Sequence, residues 1–156
     1  MIKQQMPMVI SISVSRGGIP KLPIDEVLVT ASGLSGDGHN HAKHCSPMQA
    51  VCLQDVELLE DVTKEEGIDL SCGTIGENLT VRGLSVQNLS IGTGLEFEGG
   101  VVLEITKVRM PCYVLDSIDV RLKEWLKGRC GMYAKVVREG VIKKNAAIRN
   151  VFSSAQ

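Results

Sequence analysis

Arg109 and Cys112 are the residues whose types and spacing point most directly to chemistry. They close an apolar run from Val101 to Val108. Pro111 has no amide hydrogen and disfavours the helical region for the residue before it, so the strand should end here and leave Cys112 in a turn at the rim of a sheet. In such a turn the guanidinium of Arg109 would reach the sulfur and favour the thiolate, which is both the nucleophile and the soft metal ligand. The alternative is an inert, packed thiol beside a solvent-facing arginine, because cysteine is among the most buried residue types.

A second group of residues has side chains that commonly bind metals. It follows a glycine-rich loop and consists of His39, His41, His44 and Cys45. These types suit zinc, but zinc sites usually pair two such clusters across the chain, and the remaining cysteines are isolated. The alternative is that the imidazoles hydrogen-bond a ligand or a loop carbonyl.

Two glycine-containing stretches could bind an anion. The glycines of Gly73–Asn78 could turn backbone amides towards a ligand. Arg129 follows Gly128 and has room to present its fork to phosphate or carboxylate. Neither stretch matches a dinucleotide fingerprint or a P-loop. The plainer interpretations are a turn for the first stretch and a helix cap for the second.

Short strands must position these residues. Alternating or continuous apolar residues predict strands at Met8 to Val14, Val27 to Thr30, Met48 to Leu53, Leu79 to Val81, Leu89 to Ile91, Leu95 to Phe97, Val101 to Val108, Tyr133 to Val137, and Val141 to Ile142. Gly99–Gly100 and Glu139–Gly140 predict tight hairpins. Helical spacing predicts one helix that is capped by Asp55 and ends by Gly67, and another over 118–125. With many strands, hairpin-length connections and no repeated βαβ unit, the sequence predicts a mainly β fold, a closed antiparallel barrel with about two short helices.

Composition limits the class of protein. The chain has 156 residues, 22% of them charged, and a formal net charge of -1. These values predict a single domain over residues 1–156 and provide no basic field for nucleic acid. The amino end has no unbroken apolar core, so neither a signal peptide nor a membrane-spanning segment is predicted. The five cysteines are odd in number and lack a secreted spacing, which favours free thiols in the cytoplasm.

Taken together, these segments resemble the MOSC family, which is named for the carboxy-terminal part of molybdenum-cofactor sulfurase. The resemblance runs from about Ser11 to Ile142 and depends on motifs in a fixed order: Gly17–Lys21, Gly33–His39, Ala50–Leu53 with the acidic helix after it, Gly73–Val81, Arg109–Cys112 and Gly128–Tyr133. It implies a mainly β, barrel-like fold, a pterin-bound molybdenum cofactor, and a cysteine that carries sulfur or ligates the metal. That cysteine is Cys112 here. Where the family commonly has a glycine-aspartate pair, this chain has Lys144–Ala147.

The resemblance also implies which residues bind the cofactor. The predicted contacts are Lys21, Asp37, His39, His44, Gly73, Gly76, Glu77, Asn78 and Arg129. The two cationic side chains and the glycine backbone would hold the anionic tail. The imidazoles, Glu77 and Asn78 would hydrogen-bond the polar edge of the pterin ring.

Three functions are compatible with this site. In the first, the Cys112 thiolate accepts a sulfane sulfur as persulfide and passes it on, or binds molybdenum directly. No pyridoxal phosphate is expected in this chain, so the sulfur would come from a separate desulfurase, with a molybdoenzyme as a possible partner. The second is a reductase of N-hydroxylated compounds that uses the same cofactor as an electron relay. The third is a non-catalytic module that delivers the cofactor.

Overall fold

The structure, a computed structural model, describes residues 6–38 and 46–153. Eleven strands form within these residues: β1 (Met8–Val14), β2 (Leu22–Ile24), β3 (Glu26–Thr30), β4 (Gly33–Leu34), β5 (Val51–Asp55), β6 (Leu79–Arg82), β7 (Thr93–Phe97), β8 (Val102–Val108), β9 (Met132–Arg138), β10 (Gly140–Lys143) and β11 (Ile148–Ser153). The α-helices of the same ranges are α1 (Val56–Glu66) and α2 (Leu122–Trp125), and short 3-10 helices span Pro47–Gln49, Val86–Asn88 and Tyr113–Ser117. The prediction of a mainly β chain with about two short helices is confirmed.

Two sheets carry the strands. The larger has the order β11-β7-β8-β9-β5-β6-β1-β2, and the smaller has the order β10-β3-β4. Pairing is antiparallel except between β5 and β6, which run parallel. Helix α1 connects these two strands, because parallel neighbours need a crossover rather than a hairpin.

The closed barrel is not confirmed, because within residues 6–38 and 46–153 no ladder of hydrogen bonds joins the ends of the large sheet. A strand has two hydrogen-bonding edges, and β1 uses one against β6 and the other against β2. Only the first residues of β1 meet the chain that leads into β11. There the Val9 amide donates to the Ala146 carbonyl at 2.9 Å, and Met8 pairs with Ala147 in an isolated bridge. The contact therefore stays a short bridge.

Helix α1 follows the predicted pattern except at its amino end. Val56, Leu59 and Val62 are its buried residues, and Gly67 ends it in the left-handed conformation with φ of 70°. Asp55 occupies the N-cap position, but its side chain makes no cap hydrogen bond. Its carboxylate instead accepts the amides of residues 86 and 87 at 2.8 and 3.0 Å. The predicted side-chain cap is wrong because these more distant amides take both oxygens.

Three local predictions are also corrected. The predicted strand over 89–91 is a pair of turns, since the Leu89 amide donates to the carbonyl of residue 86 and the Thr93 amide to that of Ser90. Strand β10 pairs with β3 rather than forming a hairpin with β9. Only Glu139 separates β9 from β10, which is too short for a two-residue hairpin loop. The predicted helix over 118–125 is shortened to α2 and is preceded by a 3-10 helix.

Two hydrophobic clusters form the core of the part of the chain that the structure describes. The larger contains buried residues from both sheets, among them Ile12, Val29, Leu53, Leu103 and Ile142. The smaller packs α1 against α2 and the segments beside them, and it contains Leu59, Val62, Leu70, Ile75, Leu115, Leu122, Leu126 and Cys130. None of the helices in residues 6–38 and 46–153 is long and apolar enough to cross a bilayer.

Candidate functional site

Cys112 lies just beyond β8, at the point where the chain leaves the large sheet. Pro111 cannot donate to a ladder, and the 3-10 helix over Tyr113–Ser117 begins immediately after the cysteine. Cys112 is extended, with φ of -135° and ψ of 173°, and its carbonyl accepts the Leu115 amide at 3.1 Å. Of the four cysteines that the structure describes, Cys112 is the exposed one. Its position at the rim of a sheet matches the prediction.

Arg109 turns inward rather than towards Cys112. Its Nη2 donates to the Ile75 carbonyl at 2.6 Å, and its Nη1 lies 3.9 Å from the Cys52 sulfur. Its backbone amide donates to the Gly131 carbonyl at 3.0 Å. Residues 109–112 form no turn, so the chain does not fold back to bring the sulfur onto the guanidinium. The predicted contact between Arg109 and Cys112 is wrong, and Arg109 instead ties the end of β8 to the loop over 73–78.

Burial keeps the thiols around Arg109 protonated. Desolvation raises the pKa of Cys52, and the nearby Arg109 charge only partly offsets it. Desolvation also raises the pKa of Cys130 to about 11, again against the lowering effect of Arg109. Both sulfurs are therefore neutral near pH 7, and neutral thiols are poor nucleophiles. Cys112 differs from both in that its thiol is exposed to solvent.

Glu77 and Asn78 are buried and bind other parts of the chain. The Asn78 side-chain oxygen accepts the Cys52 amide at 2.9 Å, and its nitrogen donates to the Ser13 carbonyl at 3.3 Å. Glu77 accepts the Thr80 hydroxyl at 2.9 Å. Desolvation raises the pKa of Glu77, while the amides of Gly73 and Glu77 itself lower it. Both side chains position the loop over 73–78, and both are buried.

Lys21 and Asp37 form a buried ion pair beside the same loop. Lys21 Nζ lies 2.7 Å from Asp37 Oδ2, and the two side chains are 13% and 1% exposed. The same Oδ2 accepts Asn78 at 2.9 Å, while Oδ1 accepts the Ser15 amide at 2.9 Å. Lys21 also lines a groove of about 440 Å³, together with Ser11, Pro20, Leu22, Pro23, Ser71, Cys72 and Thr74. Of the predicted cofactor contacts, Lys21 is thus one that borders an open space.

The two glycines of the loop have a steric reason to be glycine. Gly73 has φ of 87° and Gly76 has φ of 97°. A Cβ on Gly73 would lie 2.3 Å from the Lys21 carbonyl oxygen, and one on Gly76 would lie 2.8 Å from Ile19. The Gly73 carbonyl also accepts the Lys21 amide at 2.9 Å. The backbone of the loop therefore packs directly against the segment that carries Lys21.

The Arg129 side chain binds Glu65 and the end of α2. Its Nη2 and Nη1 bind the Glu65 carboxylate at 2.8 and 3.3 Å, and its Nε donates to the Trp125 carbonyl at 2.7 Å. This arrangement matches the plainer interpretation of Arg129 as a helix cap. The predicted contacts His39 and His44, with His41 and Cys45, lie outside the described residues.

The family of the chain is decided by its match to a known domain. The sequence model of the MOSC domain matches residues 37–149. The chain belongs to the MOSC domain family. YflK from Bacillus subtilis (strain 168) is 31% identical over 135 residues, which cover 83% of this chain and 61% of YflK. A protein named reductase from Gibberella moniliformis is 30% identical over 129 residues, which cover 78% of this chain and 23% of that protein. This MOSC chain thus spans less than two thirds of each relative.

A solved structure supports the same architecture for the MOSC chain. YuaD from Bacillus subtilis superposes with a TM-score of 0.79 at 16% identity, over 94% of this chain and 96% of YuaD. At that identity the likeness shows a shared fold.

Sequence reasoning missed two partners of Arg109 in this MOSC domain. Cys52 lies in the middle of the apolar strand β5, where it was assigned no role, and Ile75 contributes only its carbonyl. Cys52 lies opposite Tyr133 on the neighbouring strand β9. Knowledge of the strand pairing would have placed Cys52 beside the end of β8. The pairing of β5 with β9 cannot be predicted from the sequence, however.

Proposed function

We propose that this MOSC domain binds the molybdenum cofactor or carries sulfur, with Cys112 as the residue that holds persulfide sulfur or ligates molybdenum. The supporting observation is the exposed thiol of Cys112 at the end of β8, in the motif position that carries the functional cysteine in the resemblance. A carrier must present its sulfur to another molecule, and an exposed rim position allows that. The association of the family with molybdenum-cofactor proteins supports this choice of cofactor class.

The chemistry of the donors fits such a cofactor at two places. A cysteine thiolate is a soft ligand that suits molybdenum, and Cys112 can supply it. Lys21 borders the groove and could bind an anionic group as a point charge. The loop over 73–76 packs against the segment that carries Lys21 and would hold that side chain in place beside the groove. When bound, the cofactor would supply the redox chemistry of its metal.

The residues of this chain would confine sulfur to Cys112. The Cys112 thiolate would attack the outer sulfur of a donor persulfide, so that a new S–S bond forms while the donor S–S bond breaks and the donor leaves as a thiolate. An acceptor thiolate would repeat the exchange at the new persulfide. Cys52 and Cys130 are buried and have raised pKa values, so they would remain thiols and would not convert the persulfide into an internal disulfide. Arg109 would act as a positioning residue that fixes the backbone at the end of β8, just before Cys112.

A reductase of N-hydroxylated compounds is the second candidate. The relative named reductase favours it, and the groove beside Lys21 would be the place for a small substrate. This chain covers 23% of that protein. The reductase activity of the whole relative is therefore carried over to this chain only as a proposal. Turnover of an added hydroxylamine by the molybdenum-loaded protein would select this candidate, whereas saturable cofactor binding without product would select the delivery module.

The test compares Cys112→Ser with Cys72→Ser, since Cys72 is a half-buried cysteine in the wall of the groove. Each protein is purified from a molybdate-fed host, and its molybdenum and pterin contents are measured. Each is then treated with inorganic polysulfide, alkylated and mapped by mass spectrometry. We expect one added sulfur on Cys112 in the wild type and in Cys72→Ser, and none at this position in Cys112→Ser. Sulfur that adds only to another cysteine, with no molybdenum or pterin retained, would contradict the proposal.

A further inference from the structure

Tyr133 is a half-buried residue of β9 that points away from the larger hydrophobic cluster. Its neighbours Met132 and Ala134 are buried in that cluster. Because successive side chains of a strand point to opposite faces, Tyr133 lies on the other face of the sheet. It is paired with Cys52 on β5 and with Lys107 on β8. Directly paired residues of antiparallel strands share a face, so these two side chains flank Tyr133.

Tyr133 also lies near the segment that carries Cys112. The Arg109 amide donates to the Gly131 carbonyl at 3.0 Å, which fixes the end of β8 beside the start of β9. Tyr133 follows Gly131 by two residues, or about 7 Å of strand. The Tyr133 phenol interacts electrostatically with Arg109 and with the thiols of Cys130 and Cys112. The exposed thiol is therefore within electrostatic range of the phenol.

The Tyr133 hydroxyl is free to bind another group. Within residues 6–38 and 46–153 it has no hydrogen-bond partner, and it is not one of their fully buried polar atoms. The neighbouring guanidinium of Arg109 binds the Ile75 carbonyl and the Cys52 sulfur instead. Burial of the ring raises the pKa of Tyr133 to about 12. The hydroxyl therefore keeps its proton near pH 7 and can donate it in a hydrogen bond.

We propose that the Tyr133 hydroxyl donates a hydrogen bond to the outer sulfur of a persulfide on Cys112. The inference rests on the proposed sulfur-carrier function and adds a residue that binds the carried sulfur. An S–S bond of about 2.05 Å extends the side chain beyond the thiol sulfur. A persulfide is more acidic than its parent thiol, so the outer sulfur carries negative charge near neutral pH. A donor to an ionised acceptor makes a stronger hydrogen bond than one to a neutral acceptor.

Several other ionisable groups surround the phenol. Lys107 in β8 and Arg109 just after it are cations. Cys52 and Cys130 are thiols whose pKa values burial raises, and Glu77 interacts with both of them. A variant that changes the phenol alone leaves all five groups in place. The effect of the hydroxyl on the persulfide can therefore be measured separately from theirs.

The experiment follows the near-ultraviolet absorption of the persulfide anion as the pH is changed. Inorganic polysulfide loads the protein. The Cys112 thiolate attacks an end sulfur, a new S–S bond forms as the polysulfide S–S bond breaks, and the shortened polysulfide leaves with the electron pair. Absorption that is absent from Cys112→Ser is assigned to Cys112. Tyr133→Phe removes the hydroxyl and keeps the ring, and Tyr113→Phe is the matched control because Tyr113 follows Cys112 directly and is 71% exposed.

We expect Tyr133→Phe to raise the pH midpoint of the Cys112 absorption band by roughly 0.5 to 1 unit, or about threefold to tenfold in the ionisation constant. The shift has this sign because a lost donor destabilises the anion. Its size is moderate because the site is partly open to water. Tyr113→Phe should leave the midpoint within about 0.3 units of the wild type.

A second substitution distinguishes a hydrogen bond from a packing effect. The chain has two tyrosines, so 3-fluorotyrosine incorporated into Tyr113→Phe labels Tyr133 alone. The fluorinated phenol is more acidic and is a stronger donor, so the midpoint should fall below that of unlabelled Tyr113→Phe. Altered packing would not shift the midpoint in opposite directions for the two changes.

Each remaining outcome contradicts either the inference or the proposed function. If the wild type forms the persulfide and Tyr133→Phe has the same midpoint, the inference fails while the sulfur-carrier function stands. The inference also fails if Tyr113→Phe shifts the midpoint as far as Tyr133→Phe does, or if the fluorinated phenol does not lower it. If the wild type gains no sulfur on Cys112, the proposed function fails and the inference fails with it.

Discussion

Lys21→Met should destabilise the protein substantially, because it removes the cation from a carboxylate that is almost inaccessible to water. Lys21 Nζ lies 2.7 Å from Asp37 Oδ2, and the Asp37 side chain is 1% exposed. Removing one partner of a fully buried pair typically costs about 3–5 kcal/mol. Asp37 keeps the Ser15 amide and the Asn78 side chain as donors, so we expect a smaller loss of about 2–3 kcal/mol. In a chain of this size that corresponds to a fall of about 4–12 °C in Tm.

Asp37→Asn should cost at least as much as Lys21→Met. The asparagine amide nitrogen would have to face either the Ser15 amide or the donors of Lys21 and Asn78, and donors do not bind donors. The double variant should recover part of the loss, since it no longer leaves a single buried charge. The coupling free energy from this double-mutant cycle measures the ion pair in its environment.

The assay is urea unfolding monitored by the fluorescence of Trp125, the one tryptophan of the chain. The matched control is Lys123→Met, because Lys123 forms an ion pair with Asp116 whose side chains are 42% and 36% exposed. An exposed pair should contribute no more than about 1 kcal/mol. If the free energy of unfolding of Lys21→Met is within about 0.5 kcal/mol of that of the wild type and of this control, the buried ion pair does not hold the segment over 15–37 in place, and the reasoning is refuted.

Two other predictions concern backbone strain and ionisation. Gly131→Ala should lower the free energy of unfolding by about 3 kcal/mol or more, because the added Cβ would lie 2.4 Å from the Leu53 carbonyl oxygen at a φ of 100°. Gly128→Ala is the control and should cost about 1 kcal/mol, since Gly128 has φ of 73° and open space around it. Equal urea midpoints for the two variants would contradict this prediction. Burial raises the pKa of Tyr133 to about 12, so its contribution to stability is present below the unfolded value of about 10 and is lost as pH rises through the folded value. As the pH rises from about 10 to about 12, the free energy of unfolding should therefore fall less for Tyr133→Phe than for the wild type or for the control Tyr113→Phe. Urea unfolding at each pH measures this difference.

The strands with clear alternation were predictable from the sequence, and the others were not. Strand β1 alternates apolar residues with serines and has the predicted bounds. Strand β2 contains Pro23, and most of β11 is exposed, so neither has an apolar period that marks a strand. Strand β11 gains its pairing energy from β7, which is distant in the sequence, and β2 gains it from the preceding strand β1. The hairpin predicted at Glu139 failed because pairing with β3, another distant strand, decided the position of β10.

The site was predictable in its position and less so in the direction of its side chains. Pro111 and the end of an apolar run placed Cys112 at a rim, and both signals are local. The direction of Arg109 depends on the Ile75 carbonyl and the Cys52 sulfur, which come from two other parts of the chain. A residue type and its spacing indicate what a side chain can do, but the surrounding structure decides which partner it finds.

The polar residues of the motifs share one physical task, which is to hydrogen-bond buried backbone groups of the chain. The same donors and acceptors could bind a ligand, and for that reason the sequence suggested ligand contacts. Irregular loops and parts of strands leave some amides and carbonyls outside the ladders, and a buried backbone group that lacks a partner costs free energy comparable to a lost hydrogen bond. Asn78 satisfies the Cys52 amide and the Ser13 carbonyl, and Asp37 satisfies the Ser15 amide. Arg109 likewise satisfies the Ile75 carbonyl. These side chains allow glycine-rich loops to pack tightly at the end of a sheet, so changes at Asn78 or Asp37 should first lower stability, while changes at Cys112 should alter chemistry and leave stability nearly unchanged.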